Sequence, residues 1–173
     1  MARNRRSTAG KIVRRTFLGL GAAAIGGVAL GVWAVRREVD NPLSADAGEA
    51  VFNPYLKIAE DGTITVITPR AEMGQGVHTT LAAMVAEELD VATTDLTLET
   101  GPPSAAYYNS AMMAESAFPP HFERGLAAGA QRTMMESMGK VLGLQVTGGS
   151  SSIIDGYDKM REAGATARAA LVS

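Results

Sequence analysis

Two short glycine motifs contain the residues whose types and spacing could bind a ligand. In the first, EMGQGVHTT at residues 72–80, Gly74 and Gly76 flank Gln75 directly before a predicted helix. Glycines let main-chain N–H groups converge and let a ligand approach the backbone, while a glutamine side chain offers a donor and an acceptor. At a helix N-terminus this arrangement suits a phosphate or a pterin. The alternative is an ordinary strand-to-helix turn with a solvent-exposed glutamine.

The second motif, LQVTGGSSS at residues 144–152, has a related composition. It combines two glycines with one threonine and three serines, and we predict a helix shortly after it with Asp155 as its N-cap. The alternative interpretation of this composition is a flexible serine-rich loop. Two such loops in one small domain favour an anionic ligand held between them.

Composition excludes several other kinds of site. The chain has no cysteine, so an iron–sulfur cluster would have to belong to a partner, and His78 and His121 have no metal-site spacing. We therefore predict no metal ligands within this chain. Eight of the 16 basic residues lie in residues 1–37, which leaves eight basic against 18 acidic residues in the remainder, a net charge of −10. This acidic body argues against nucleic acid as a partner.

The basic N-terminus has the layout of a targeting segment. Arg14 and Arg15 are followed by Phe17 and Leu18, and no charged residue occurs from Thr16 to Val35. The arginine pair with its apolar neighbours resembles a Tat export signal, which a receptor reads on proteins that are already folded. A plain signal anchor is the alternative.

The length of the apolar run also permits an anchor. Residues 17–35 would form a helix of about 28 Å, close to the roughly 30 Å hydrocarbon core of a bilayer. Five glycines in the run and a small-residue cleavage site at residues 45–47 oppose retention, whereas Arg36 and Arg37 favour an uncleaved anchor. We expect residues 1–40 to be a Tat-like signal or inner-membrane anchor, with the Tat translocase as a partner and the body in the periplasm.

The body is predicted to have an α+β fold that begins near Pro54. Residues 41–53 are small and polar and are interpreted as a tether, whereas residues 54–173 form the domain. Alternating apolar residues predict a β-hairpin that turns at Asp61–Gly62 and a later strand, and 3.6-residue periodicity predicts three helices. Prolines and tyrosines in residues 102–121 predict a long surface excursion. The predicted positions are 55–68 for the hairpin, 95–101 for the strand, and 78–89, 122–142 and 155–171 for the helices.

A family resemblance joins these elements. The segment NPYLKIAEDGTITVITPRAEMGQGVHTTLAAMVAEEL, followed later by LQVTGGSSSIIDGYDKMREAGATARAALV, resembles the molybdopterin-binding large subunit of the xanthine dehydrogenase and aldehyde oxidase superfamily. Within it, the isoquinoline 1-oxidoreductase beta subunit is the most similar branch. The resemblance covers nearly all of residues 53–171 and implies the N-terminal portion of such a subunit, an incomplete molybdopterin-binding domain.

The resemblance also implies a cofactor and partners. The cofactor would be molybdenum–molybdopterin cytosine dinucleotide, shared with the remainder of the large subunit, and the iron–sulfur clusters would lie on a small partner subunit. Family members hydroxylate an N-heterocycle or an aldehyde. The residues that the resemblance places at the cofactor are Gly74, Gln75, Gly76, His78, Thr79, Thr147, Gly148, Gly149, Ser150 and Ser151.

One family feature has no counterpart in this sequence. The family's base glutamate lies near the far C-terminus of a much longer subunit, and we find no ground for giving its role to Glu72. We therefore expect the 173-residue chain to be inactive by itself. The alternative interpretation is a membrane-anchored module that binds a phosphorylated ligand, or a non-catalytic relic.

Overall fold

The structure, a computed structural model, describes residues 19, 21, 26–116 and 123–173. The chain divides into two compact units, residues 1–38 and residues 39–173. In the first unit residues 26–36 are helical. Among the helices within the described ranges, none has both the length and the apolar character needed to cross a membrane. The twin-arginine pair and part of the apolar run behind it lie outside those ranges.

The second unit is built on a four-stranded mixed sheet with the order β1-β2-β3-β4. The first three strands pair antiparallel, and β4 is parallel to β3. The predicted hairpin is confirmed: Gly62 in its turn has a φ of 89°, and the Asp61 carboxylate accepts the Thr63 N–H at 2.8 Å. The strands are β1 (Glu49–Asn53), β2 (Leu56–Ala59), β3 (Ile64–Thr68) and β4 (Leu96–Thr100).

Two long helices cover the sheet and form the core. Helix α1 (Val77–Leu89) connects the parallel strands β3 and β4, as a parallel pair requires, and confirms the predicted helix at 78–89. It packs against the last helix, α4 (Ser151–Leu171). At Gly164 an added Cβ would lie 2.9 Å from the Val85 carbonyl oxygen, so the two helices approach closely there. Their contact places both glycine motifs at the same end of the helix pair.

Two further helices follow the sheet. Helix α2 (Ser110–Glu115) packs on α3 (Leu126–Leu142), which confirms most of the helix predicted at 122–142. The outer face of α3 is apolar and exposed, with Leu126 98% exposed. Its other exposed apolar side chains are Met134, Met138, Val141 and Leu142.

Two features of the body differ in detail from the prediction. The sheet begins at Glu49, within the predicted tether, because residues 49–53 pair with β2. The segment predicted as a surface excursion contains Tyr107 and Asn109, which are both fully buried. The end of this segment, residues 117–122 with His121, lies outside the described part of the chain. The Tyr107 hydroxyl donates to the Pro54 carbonyl at 2.7 Å, so this segment is tied to the sheet.

The start of the last helix also differs from the prediction. Asp155 is not the N-cap: α4 begins at Ser151, with Ser150 as the cap residue. Asp155 lies in the second turn and is buried against Arg70 and Lys159, both of which form ion pairs with it. Asp155 is a residue type that often caps helices, but here its contacts with Arg70 and Lys159 place it inside a buried ion cluster.

Candidate functional site

The two glycine motifs lie side by side and border a cleft of about 430 Å³. The residue before the first motif joins them, since the Ala71 N–H donates to Thr147 Oγ1 at 2.9 Å. The walls come from the first loop, the start of α1, the second loop and the start of α4. The lining residues are Met73, Gln75, Val77, Thr80, Thr147, Gly148, Ser150, Ser152 and Ile153.

In the first loop a carboxylate binds the converging amides. Glu72 Oε1 accepts the N–H groups of Gly74 at 2.8 Å and Gly76 at 3.0 Å, and Oε2 accepts the N–H of His78 at 3.0 Å. The hydrogen bonds from His78 and Gly76 lower the pKa of Glu72, although the side chain is exposed. The N-terminus of α1 is thus capped from within the chain.

Gln75 also makes its hydrogen bonds within the loop. Its Oε1 accepts the Met73 N–H at 2.5 Å and its Nε2 donates to the Ala71 carbonyl at 2.7 Å. Gly74 and Gly76 have φ values of 91° and 77°, and a Cβ at either position would meet open space. Both glycines are therefore required by the left-handed backbone, which L-residues with a Cβ rarely adopt.

The second loop has two consecutive left-handed residues, Gly149 with a φ of 57° and Ser150 with a φ of 55°. Ser151 is fully buried: its Oγ donates to the Gly148 carbonyl at 2.7 Å and accepts from Asn109 Nδ2 at 2.8 Å. The cap residue Ser150 makes no side-chain hydrogen bond to the first turn of α4. The Ser151 N–H donates to the Gly148 carbonyl at 3.1 Å, and the next two N–H groups of the first turn, which have no intrahelical acceptor, belong to the lining residues Ser152 and Ile153.

A buried ion cluster fixes the bases of both loops. Arg70 precedes the first loop, and its Nη2 donates to Asp155 Oδ2 at 2.6 Å, while Lys159 Nζ donates to the same oxygen at 2.8 Å. The Asp155 side chain is completely inaccessible and that of Arg70 is 3% exposed. Burial opposes ionisation of Asp155, but Lys159, the Ser110 hydrogen bonds and Arg70 outweigh it and lower the pKa of its carboxyl group. The cluster holds α4 against the chain that leads into the first loop.

The structure places the residues predicted to bind a cofactor in different surroundings. Of the ten, the cleft lining includes Gln75, Thr147, Gly148 and Ser150. Gly74, Gly76 and Gly149 shape the loops, and Ser151 is buried beneath one. The His78 ring contacts the Arg70 carbonyl oxygen through Nε2 at 2.6 Å, and Thr79 is exposed on α1, outside the lining.

Sequence reasoning missed five residues of the lining: Met73, Val77, Thr80, Ser152 and Ile153. The predicted site consisted of glycines and hydrogen-bonding side chains, whereas three of these five side chains, those of Met73, Val77 and Ile153, are apolar. Helical spacing carries a signal for two of them, since Val77 and Thr80 are three residues apart on α1. Within the described residues, no group of three or more His, Asp or Glu side chains could hold a metal ion.

The fold and the cleft define a class: an α+β domain with a cleft between two glycine loops at helix N-termini. The family model for the molybdopterin cofactor-binding domain matches residues 21–118. The chain belongs to this family, which confirms the resemblance found in the sequence and implies a molybdenum–pterin cofactor. The matched range includes the first glycine loop and ends before the second.

A curated relative gives a second, shorter match. The chain is 45% identical over 38 residues to the isoquinoline 1-oxidoreductase subunit beta of Brevundimonas diminuta. This alignment covers 22% of the chain and 5% of the relative, so the chain matches a small part of that protein's length. No solved structure matches the chain.

Proposed function

We propose that this chain is the cofactor-binding N-terminal portion of a molybdenum hydroxylase large subunit that oxidises an N-heterocycle or an aldehyde. The observation that carries the proposal is the family match across the sheet, α1 and the Gly-Gln-Gly loop, which forms one wall of the cleft. The cofactor in its cytosine dinucleotide form would supply the redox centre for hydroxylation. The chain's own residues would bind and orient it.

The cleft has groups that fit part of such a cofactor. The hydroxyl groups of Thr147, Ser150 and Ser152 and the backbone amides at the start of α4 are donors for phosphate oxygens. The nine lining residues that the structure describes include no acidic side chain, which removes one source of repulsion to an anion. Met73, Val77 and Ile153 provide apolar contact for a planar ring. These residues would hold the cofactor and exclude water around it.

The proposal includes two protein partners. The exposed apolar face of α3, formed by Leu126, Met134, Met138, Val141 and Leu142, suits burial against the remainder of the large subunit. A small partner subunit with iron–sulfur clusters would accept the electrons, since this chain has no cysteine to ligate a cluster. We further propose that the Tat translocase exports the loaded protein to the periplasm, where residues 1–40 keep it at the inner membrane unless they are cleaved. The motif that supports export is the Arg14–Arg15 pair.

Three substitutions test the cofactor assignment. Each is made in the complete large subunit, co-expressed with its iron–sulfur partner. Gly76→Val should cause the largest loss of bound molybdenum and cytosine nucleotide, because valine is strained at a φ of 77° and would distort the loop backbone. Gln75→Ala should cause a smaller loss. Ser150→Ala should cause the smallest, since one neutral hydrogen bond contributes about 1 kcal/mol. Molybdenum and released nucleotide are measured per mole of protein.

Gly62→Val is the matched control. Gly62 has a φ of 89° and open space around its Cβ, as at Gly76, but it lies in the hairpin turn outside the cleft lining. Its replacement should therefore leave the cofactor content unchanged in protein that remains folded. Full cofactor content in folded Gly76→Val protein would refute the assignment. A bound phosphorylated ligand without molybdenum would instead favour the alternative, a phosphate-ligand binding module.

A further inference from the structure

The carboxylate of Glu72 occupies the part of the first loop that an external anion would otherwise use. Its two oxygens accept three backbone hydrogen bonds, from Gly74, Gly76 and His78, at 2.8 to 3.0 Å. These amides lie at the N-terminus of α1, where the helix dipole favours negative charge. The three contacts occupy the N–H groups of Gly74, Gly76 and His78.

Glu72 also controls the place of Gln75. The carboxylate binds the residues on both sides of Gln75, and Gln75 in turn spans the same loop from Met73 to Ala71. With the backbone clamped on both sides, Gln75 is presented at the cleft wall. The other helix at the cleft differs, because the cap residue Ser150 provides no side-chain hydrogen bond to α4.

We propose that Glu72 is a positioning residue of the cleft, which fixes the Gly-Gln-Gly loop and closes the N-terminus of α1 to external phosphate. The importance of this role for cofactor binding rests on the proposed function, but the role itself concerns only this chain. A ligand would then meet the Gln75 side of the cleft as a preformed wall. An anionic group of the ligand would have to bind elsewhere in the cleft.

The first test measures amide hydrogen exchange by NMR in the ¹⁵N-labelled full chain. Glu72→Ala should accelerate exchange at Gly74, Gly76 and His78 by about two- to fivefold, the range expected for an anion at an exposed helix N-terminus. Glu72→Gln keeps an acceptor without the charge and should give an intermediate increase. The matched control is Glu87→Gln, an exposed glutamate on the same helix, which should leave the three rates unchanged. Unchanged rates in Glu72→Ala would overturn the proposal.

The second test uses inorganic pyrophosphate as a probe of anion access. In the wild-type chain the three amide resonances should not respond to pyrophosphate, and in Glu72→Ala they should shift as the freed amides bind it. A merely structural role for Glu72 would not produce these new shifts in response to pyrophosphate. Equal shifts in both proteins, or no shift in either, would overturn the proposal. Neither test uses the molybdenum cofactor, so failure of the proposed function in the loading experiment would be a separate result.

Discussion

Replacement of Asp155 by alanine should lower the free energy of unfolding by about 3–5 kcal/mol, the usual cost of removing one partner of a buried ion pair. Asp155 is inaccessible and accepts hydrogen bonds from Arg70, Lys159 and Ser110. Its removal leaves the Arg70 guanidinium, 3% exposed, without a counter-charge, although the Tyr107 carbonyl still accepts one of its N–H groups at 2.9 Å. The uncompensated charge at this buried position accounts for most of the loss.

Urea denaturation followed by circular dichroism measures this effect. With a slope of about 2 kcal/mol per M, the midpoint should fall by roughly 1.5–2.5 M. Asp158→Ala is the matched control, because Asp158 is exposed on the same helix, and its midpoint should change little. The samples are compared at two protein concentrations, so that self-association through the exposed face of α3 does not enter the comparison. Equal small shifts for the two variants would refute the structural role given to Asp155.

Two extensions separate charge from shape. Arg70→Met combined with Asp155→Ala should cost less than the sum of the single changes, because the double variant leaves no unpaired guanidinium. The pKa of Asp155 is lowered in the folded chain, so its contribution is fully present above its ordinary value of 3.8 and is lost as the pH falls through the lower folded value. The stability difference between wild type and Asp155→Ala should therefore be constant from pH 7 to about pH 4 and shrink below that. A difference that grows on acidification would contradict the assignment.

Two further predictions concern the helix contact and export. Gly164→Ala should destabilise the chain by about 1–3 kcal/mol, because its Cβ would lie 2.9 Å from a backbone carbonyl oxygen of α1. Gly129→Ala, which has open space around its Cβ on α3, should instead stabilise the chain by about 0.5–1 kcal/mol. The same denaturation assay compares the two variants, and equal effects would contradict the close contact between α1 and α4. Changing Arg14 and Arg15 to lysine should keep a reporter fused after residue 53 in the cytoplasm, as cell fractionation would show, and undiminished export would exclude the Tat route.

The elements of the body could be predicted from the sequence because their signals are local. The hairpin turn followed from Asp61–Gly62, which needs a positive φ, and α1 followed from apolar residues at helical spacing. The glycine loops were also found from their composition alone. The family resemblance, which the comparisons confirm, rested on the same two stretches of sequence.

The composition of the cleft was decided by contacts between distant parts of the chain. The Ala71–Thr147 hydrogen bond joins residues 76 positions apart, and the Arg70–Asp155 pair joins residues 85 positions apart. No local pattern distinguishes an aspartate that caps a helix from one that is buried with an arginine in its second turn. The sequence therefore determined that two glycine-rich loops lead into helices, whereas the packing of α4 on α1 decided which of their groups face the cleft. The physical reason is that loss of a buried ion pair costs more free energy than loss of a local helix cap, so tertiary contacts decide the role of a residue such as Asp155.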